Sequence, residues 1–286
     1  MNHQDTKAPR RLLLGFFVPW CLCGSFAFAQ SLLLQPPHLL LLDPTTLREA
    51  SRAPAEDAWF GPLLHPKGDR AYLGVGPAVQ EYRLDRGTLS PARRFSTPDL
   101  VGDVALSPDG RLLYAAHPFR NSLTVLNALT GFPVAEYRTG RRPWRIVFAP
   151  DGRTFYVSHT AAGSIGQYNA ADGARLAVIP VGPHPTDLVL VPGPNDAPEG
   201  VPRFVARLFV ACANTNSVVV LGITEGNQLH LLDRLDVAPW DEAPLGSTPT
   251  SLAISPDGKR LYVACSGNNL VAVFDIEDYA AEFVAF

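Results

Sequence analysis

Four prolines, Pro66, Pro108, Pro150 and Pro192, stand 42 residues apart. A chain that repeats at such a period is built from copies of one supersecondary unit. Around the prolines a phrase recurs: an apolar run, then Ser/Ala-Pro-Asp-Gly-Arg/Lys, then an alternating run. It reads VALSPDGRLLYAAH from Val104, IVFAPDGRTFYVSH from Ile146 and LAISPDGKRLYVAC from Leu252. Turn residues cut each unit into four short strands. In one unit these are Asp103 to Ser107, Arg111 to His117, Ser122 to Asn127 and Phe132 to Arg138. In the next they are Trp144 to Ala149, Thr154 to His159, Ser164 to Asn169 and Arg175 to Val181. Pro-Asp-Gly suits the first turn because Gly accepts a positive φ and Asp bonds its own backbone. Four short antiparallel strands per repeat make a propeller blade. The fold class expected is therefore all-β, a β-propeller of four-stranded antiparallel blades.

Other units vary the theme. From Trp59 the run WFGPLLHPKGDRAYLGV is a degenerate copy, with Pro66-Lys67-Gly68 at the turn. From Asp187 the run DLVLVPGP reaches Pro192 on schedule, but Pro256 follows only 64 residues later, so this blade carries about 22 extra residues. They divide between Asn195 to Arg203 and Trp240 to Gly246, and insertions of this kind map to loops. At the N-terminal side, His38 to Asp43 and Arg48 to Ala53 match a third and a fourth strand with no first or second strand before them. After Asn269 to Asp275, the third strand of the last unit, the chain stops within Tyr279 to Phe286. The expectation is five blades plus a half-blade, in a propeller domain spanning 30–286 that is incomplete at its C-terminus and belongs to a longer protein.

The first 29 residues read separately. Lys7, Arg10 and Arg11 precede an apolar stretch from Leu12 to Leu22, and Ala27-Phe28-Ala29 supplies an A-x-A cleavage site. This is the pattern of a Sec-type signal peptide over 1–29, with a twin-arginine route as the second reading of Arg10-Arg11. Pro19 and Gly24 interrupt the stretch, which is too short for a membrane span. The expected location is periplasmic or secreted. Cys21 and Cys23 leave with the signal, and Cys212 and Cys265 alone do not make a disulfide scaffold. The net charge of −3, from 24 Lys+Arg and 27 Asp+Glu, gives no reason to expect a nucleic-acid partner. The local run Arg138, Arg141, Arg142, Arg145 reads as a solvated loop.

The second strands end in Leu113-Tyr114-Ala115-Ala116-His117, Phe155-Tyr156-Val157-Ser158-His159, Leu208-Phe209-Val210-Ala211-Cys212 and Leu261-Tyr262-Val263-Ala264-Cys265. With the preceding Ser-Pro-Asp-Gly phrase, they resemble the YVTN family of β-propeller repeats, including its YncE-like and lactonase-like members. The resemblance runs from Trp59 to Asp275, with His or Cys where the family usually has Asn. It implies a seven-bladed ring, an extracytoplasmic location and a binding or structural role. It transfers no catalytic residues, because the family has no single catalytic motif.

His117, His159, Cys212 and Cys265 occupy equivalent places in successive blades, which raises a soft-metal site. Second strands lie one strand step out from the channel, so such residues stand on the order of 10 Å apart, while Zn–N and Zn–S bonds measure about 2.0 to 2.3 Å. The same spacing exceeds disulfide reach, so both cysteines are expected as free, half-buried thiols. The better site candidates are the entries to the first strands: Arg141, Trp144 and Arg145, then His184 and Asp187, then Thr250. A His beside an Asp can act as a general base, although Pro in these loops also serves simply to start the inner strand. Asp109, Asp151 and Asp257 belong to turns on the opposite face. No Ser nucleophile elbow, glycine-rich phosphate loop, H-E-x-x-H or EF-type calcium loop occurs, which does not exclude catalysis, and no cofactor is implied. The leading expectation is a monomeric binding module for a protein, peptide or small-molecule ligand on the loop face. A lactonase-like hydrolase is the alternative, and a metal or haem redox propeller a weaker one, since only His184 would serve it.

Overall fold

The computed structural model describes residues 31–286 except 36, 44, 59, 195–201, 241–243 and 279. The segment 1–29 expected to be a signal peptide, Trp59, most of the Asn195 to Arg203 insert and the centre of Trp240 to Gly246 lie outside the described residues.

Six antiparallel sheets follow one another along the chain. Blade 1 holds β1 (Ser31–Gln35), β2 (His38–Leu42) and β3 (Glu49–Pro54). Blade 2 holds β4 (Leu63–Leu64), β5 (Arg70–Gly74), β6 (Ala78–Asp85) and β7 (Thr88–Ser96). Blade 3 holds β8 (Val104–Leu106), β9 (Leu112–His117), β10 (Ser122–Asn127) and β11 (Pro133–Arg138). Blade 4 holds β12 (Pro143–Phe148), β13 (Thr154–His159), β14 (Ser164–Asn169) and β15 (Arg175–Pro180). Blade 5 holds β16 (Pro185–Pro192), β17 (Ala206–Cys212), β18 (Ser217–Ile223) and β19 (Leu229–Asp236). Blade 6 holds β20 (Pro249–Ile254), β21 (Arg260–Cys265), β22 (Leu270–Asp275) and β23 (Glu282–Ala285). In blades 2 to 6 the first strand is innermost and the fourth outermost.

The blade count corrects the sequence reading. Among the described residues six blades are present, not five and a half of a seven-bladed ring. The supposed half-blade has a third strand, because β1 pairs antiparallel with β2 from Ser31↔Leu42 to Gln35↔His38. Its Leu32-Leu33-Leu34 run adjoins the signal-like segment and lacks the Pro-Asp-Gly phrase that marks the other hairpins. The last unit also gains an outer strand, β23, paired with β22 through Phe274↔Phe283. That strand is exposed along its length, so no apolar alternation announces it. Arg207 holds the turn leading to it, donating to the carbonyls of Ile276 and Asp278 while lying over the Phe209 ring.

The repeated phrase folds as its chemistry dictates. Ser107 Oγ donates to Asp109 Oδ1 at 2.6 Å, and the same carboxylate accepts the Arg111 amide at 3.1 Å. Gly110 closes the turn at φ 72°, where a side chain would strain the backbone. The Ser107 hydroxyl first of all holds the Asp109 carboxyl below its usual range against the opposing effect of burial, and the Arg111 amide adds to it. Asp257 repeats the arrangement with Ser255 and Lys259. These aspartates are turn devices, as the sequence indicated.

Second strands are buried on both faces, β13 and β17 along their whole length, because each blade is covered by its neighbours. Apolar clusters fill the successive interfaces, from blades 1 and 2 through to blades 5 and 6. Outer strands instead alternate exposed and half-buried residues, as in β11 and β15.

Buried polar ends are satisfied within this packing. His159, 1% exposed, takes the Gly140 amide on Nε2 at 3.2 Å, with Tyr168 Oη at 3.0 Å from the same nitrogen. Its Nδ1 lies 3.3 Å from Ser164 Oγ. Burial lowers the His159 pKa to about 4. The unfolded imidazole titrates near 6.5, so the stability from burying it neutral is complete above that pH and is lost as pH falls toward 4. Urea unfolding is expected to show this group costing about 2 kcal/mol between pH 7 and pH 5. His159→Gln should flatten the profile by that amount; parallel profiles for the two proteins would contradict the assignment.

Candidate functional site

Each inner strand from β12 onward begins with a bulge. The pairing of β12 with β13 skips from Pro143↔His159 to Ile146↔Val157, and β16 and β20 shift between Pro185 and Asp187 and between Pro249 and Ser251. A bulge re-aims the side chains beside it, and these are the residues the sequence singled out. The 42-residue ladder, lengthened in blade 5, aligns Phe60, Gly102, Trp144, Thr186 and Thr250 in one layer and Asp103, Arg145, Asp187 and Ser251 in the next.

The second layer is an ion chain across blades. Arg145 donates through Nη1 to Asp103 Oδ1 at 2.9 Å and through Nε to Asp187 Oδ1 at 2.8 Å. The remaining oxygens reach further blades: Asp103 Oδ2 accepts the Ile146 amide at 2.9 Å, and Asp187 Oδ2 accepts the Leu252 amide at 2.8 Å. Arg145 also fixes its own bulge, its amide donating to Ser158 Oγ at 3.0 Å. Burial disfavours the charge on Arg145, but the two carboxylates outweigh it and raise its pKa. Burial raises the pKa of Asp103, opposed by Arg145 and the Ile146 amide.

The first layer forms an aromatic cluster. Gly102 has no side chain, and a Cβ there would come within 2.7 Å of Pro118. Across that glycine the rings of Phe60 and Trp144 meet edge to face, with centroids 4.8 Å apart. The Arg142 guanidinium lies 5.7 Å from the Trp144 ring centre and 5.8 Å from that of Phe119, which is 55% exposed. Its main chain is pinned: the amide donates to Asn121 Oδ1 at 2.8 Å, and the carbonyl accepts the Thr160 amide at 3.1 Å. Arg142 adopts a left-handed φ of 57°, matched by His184 at 48° and Thr248 at 51°. In all three the carbonyl accepts an amide from the adjoining loop, of Thr160, Ala213 or Ser266. This conformation costs about 1–2 kcal/mol in a non-glycine residue. Its recurrence in three blades makes it part of the loop architecture.

The structure brings together two of the sequence-predicted residues, Arg145 and Asp187, as ion-pair partners. It does not bring His184 to Asp187, whose oxygens serve Arg145, Leu188 and Leu252. Trp144 joins the aromatic cluster, Arg141 is exposed beside it, and Thr250 is half-buried at the start of β20. His117, Cys212 and Cys265 face the blade interiors with His159, and both cysteines are free and fully buried. Burial pushes the Cys212 and Cys265 thiols up to about 11.

Asp103, Phe60, Phe119 and the Arg142 side chain were missed. Asp103 and Phe60 fall on the ladder positions of Arg145 and Trp144. Phe119 stands where the other blades have Ala161, Asn214 and Gly267, so comparing units at their loops would have found it.

The architecture is that of a β-propeller, and solved structures agree. The chain is similar to Kuenenia stuttgartiensis hydrazine synthase, at 16% identity and a TM-score of 0.68, over 87% of this chain and 74% of that one. It is also similar to the periplasmic gluconolactonase of Pseudomonas aeruginosa, at 16% identity and a TM-score of 0.62, over 91% and 78%. A chain of the mitotic checkpoint complex matches at 14% identity and a TM-score of 0.68, over 87% and 73%. At these identities the likeness is one of fold, and one fold hosts many functions. No protein-family model and no curated protein sequence matches the chain. Among the described residues no helix is long and apolar enough to cross a membrane.

Proposed function

We propose that this chain is a periplasmic or secreted YVTN-type β-propeller that works as a binding module, its ligand seated on the loop face over Phe119, Arg142 and Trp144. The observation that carries the reading is the Arg142 guanidinium, held against two rings with no hydrogen bond or ion pair of its own among the described residues. Exposed aromatic and arginine side chains held in place are the usual anchors of recognition. Hydrolysis of a lactone is the second reading, prompted by the gluconolactonase among similar structures. It asks for a general base, and the candidate pair is not assembled: the Asp187 carboxylate is committed to Arg145 and to the Leu188 and Leu252 amides rather than to His184.

Two experiments test the proposal. Alkaline phosphatase fused after residue 40 should be active in a bacterial host only if residues 1–29 direct export; an inactive, cytoplasmic fusion would remove the extracytoplasmic location. A fragment screen by NMR on labelled protein should perturb amides around 119–121, 139–144 and 183–187, and Trp144→Ala should abolish those shifts. Perturbations gathered instead at the Pro-Asp-Gly turns would place the binding face at the wrong end of the blades.

A further inference from the structure

We propose that the Phe119, Arg142 and Trp144 cluster recognises a carboxylate on an acidic peptide segment of a partner protein. This rests on the loop-face reading above and adds the chemistry of the occupant. A guanidinium lying against rings keeps its in-plane N–H donors pointing outward, in the fork that matches a carboxylate. The rings also restrict its rotamers before any ligand arrives, so less ordering remains to oppose binding.

Charge points the same way. Arg141 is exposed next to Arg142 and, like it, has no acidic partner among the described residues. Of the carboxylates in the adjoining elements, Glu136 pairs with Arg120 at 3.4 Å, and Asp103 and Asp187 pair with Arg145. The chain carries a net charge of −3, yet among the described residues neither arginine has a carboxylate at ion-pair distance.

The exposed ring of Phe119 and the partly exposed ring of Trp144 offer an apolar ledge beside the charge. An acidic residue followed by an aromatic or aliphatic one matches that pair of features. A peptide also suits the shape better than a small metabolite, which favours a concave site. None of the three cluster residues lines the hollow of about 400 Å³ that Glu136, Tyr137, Arg138, Asp172 and Arg175 help to form.

The test is a random 12-residue peptide display on the purified propeller, followed by binding measurements with a synthetic copy of the most enriched sequence. Enriched peptides should carry Asp or Glu beside an apolar residue. Affinity should fall about tenfold or more with Arg142→Ala, with Arg142→Lys, and with the peptide's carboxylate replaced by an amide. An unchanged melting temperature for Arg142→Lys shows that the fold is intact. Peptides lacking acidic residues but lost with Trp144→Ala would overturn the carboxylate while keeping the binding face. Peptides insensitive to both Arg142 and Trp144 substitutions, or no enrichment at all, would overturn the proposal.

Discussion

Arg145 is the point at which the blades are tied to one another. A propeller's interblade cores are apolar and non-directional, and they leave open how far one blade may slide along its neighbour. Directional bonds remove that freedom. Asp103 in the loop before blade 3 and Asp187 in blade 5 both bind Arg145 of blade 4, and their second oxygens bind amides of blades 4 and 6. Four inner-strand entries are thereby placed relative to one another by a single guanidinium and two carboxylates. Buried charges cost desolvation energy, and apolar replacements of a whole ion network are often neutral or stabilising. Register is thus the better account of this chain of charges, with stability secondary.

The loop face depends on that register. Trp144 directly precedes Arg145, and the bulge that re-aims both is held by the Arg145 amide on Ser158. A shift of β12 against blade 3 would separate Trp144 from Phe60 and carry Arg142 away from Phe119. Gly102 contributes by omission, since any side chain there would strike Pro118 in the space beneath the rings. The proposed binding surface is therefore a property of blades 2 to 4 together, assembled where their sequences differ.

Much of the scaffold was legible from the repeat. The strands Ser122–Asn127, Thr154–His159 and Ser164–Asn169 coincide with the sequence reading, because turn residues bound them on both sides. The outlying strands β1 and β23 were not legible: one is a leucine run without the turn phrase, and the other is an exposed edge whose pairing depends on β22. The site was half legible. The ladder picked out Arg145 and Asp187, yet the proximity of His184 in sequence suggested the wrong partner for Asp187. Only the packing of β12 between β8 and β16 shows that Arg145 reaches both carboxylates. The left-handed backbone recurs before Pro143, Pro185 and Pro249, but that it sets the Arg142 side chain against two rings follows only from the packing.

A double-mutant cycle between Asp187 and Arg145, read by urea unfolding, tests this account most directly. Asp187→Ala alone should cost about 1–3 kcal/mol, because it removes one of the two carboxylates on Arg145 and leaves the buried Leu252 amide without its acceptor. Combined with Arg145→Ala, it should show an interaction energy of at least about 1.5 kcal/mol. Additivity within about 0.5 kcal/mol would mean that the two residues do not work as one unit, and that the blades are held in register by something other than this ion chain.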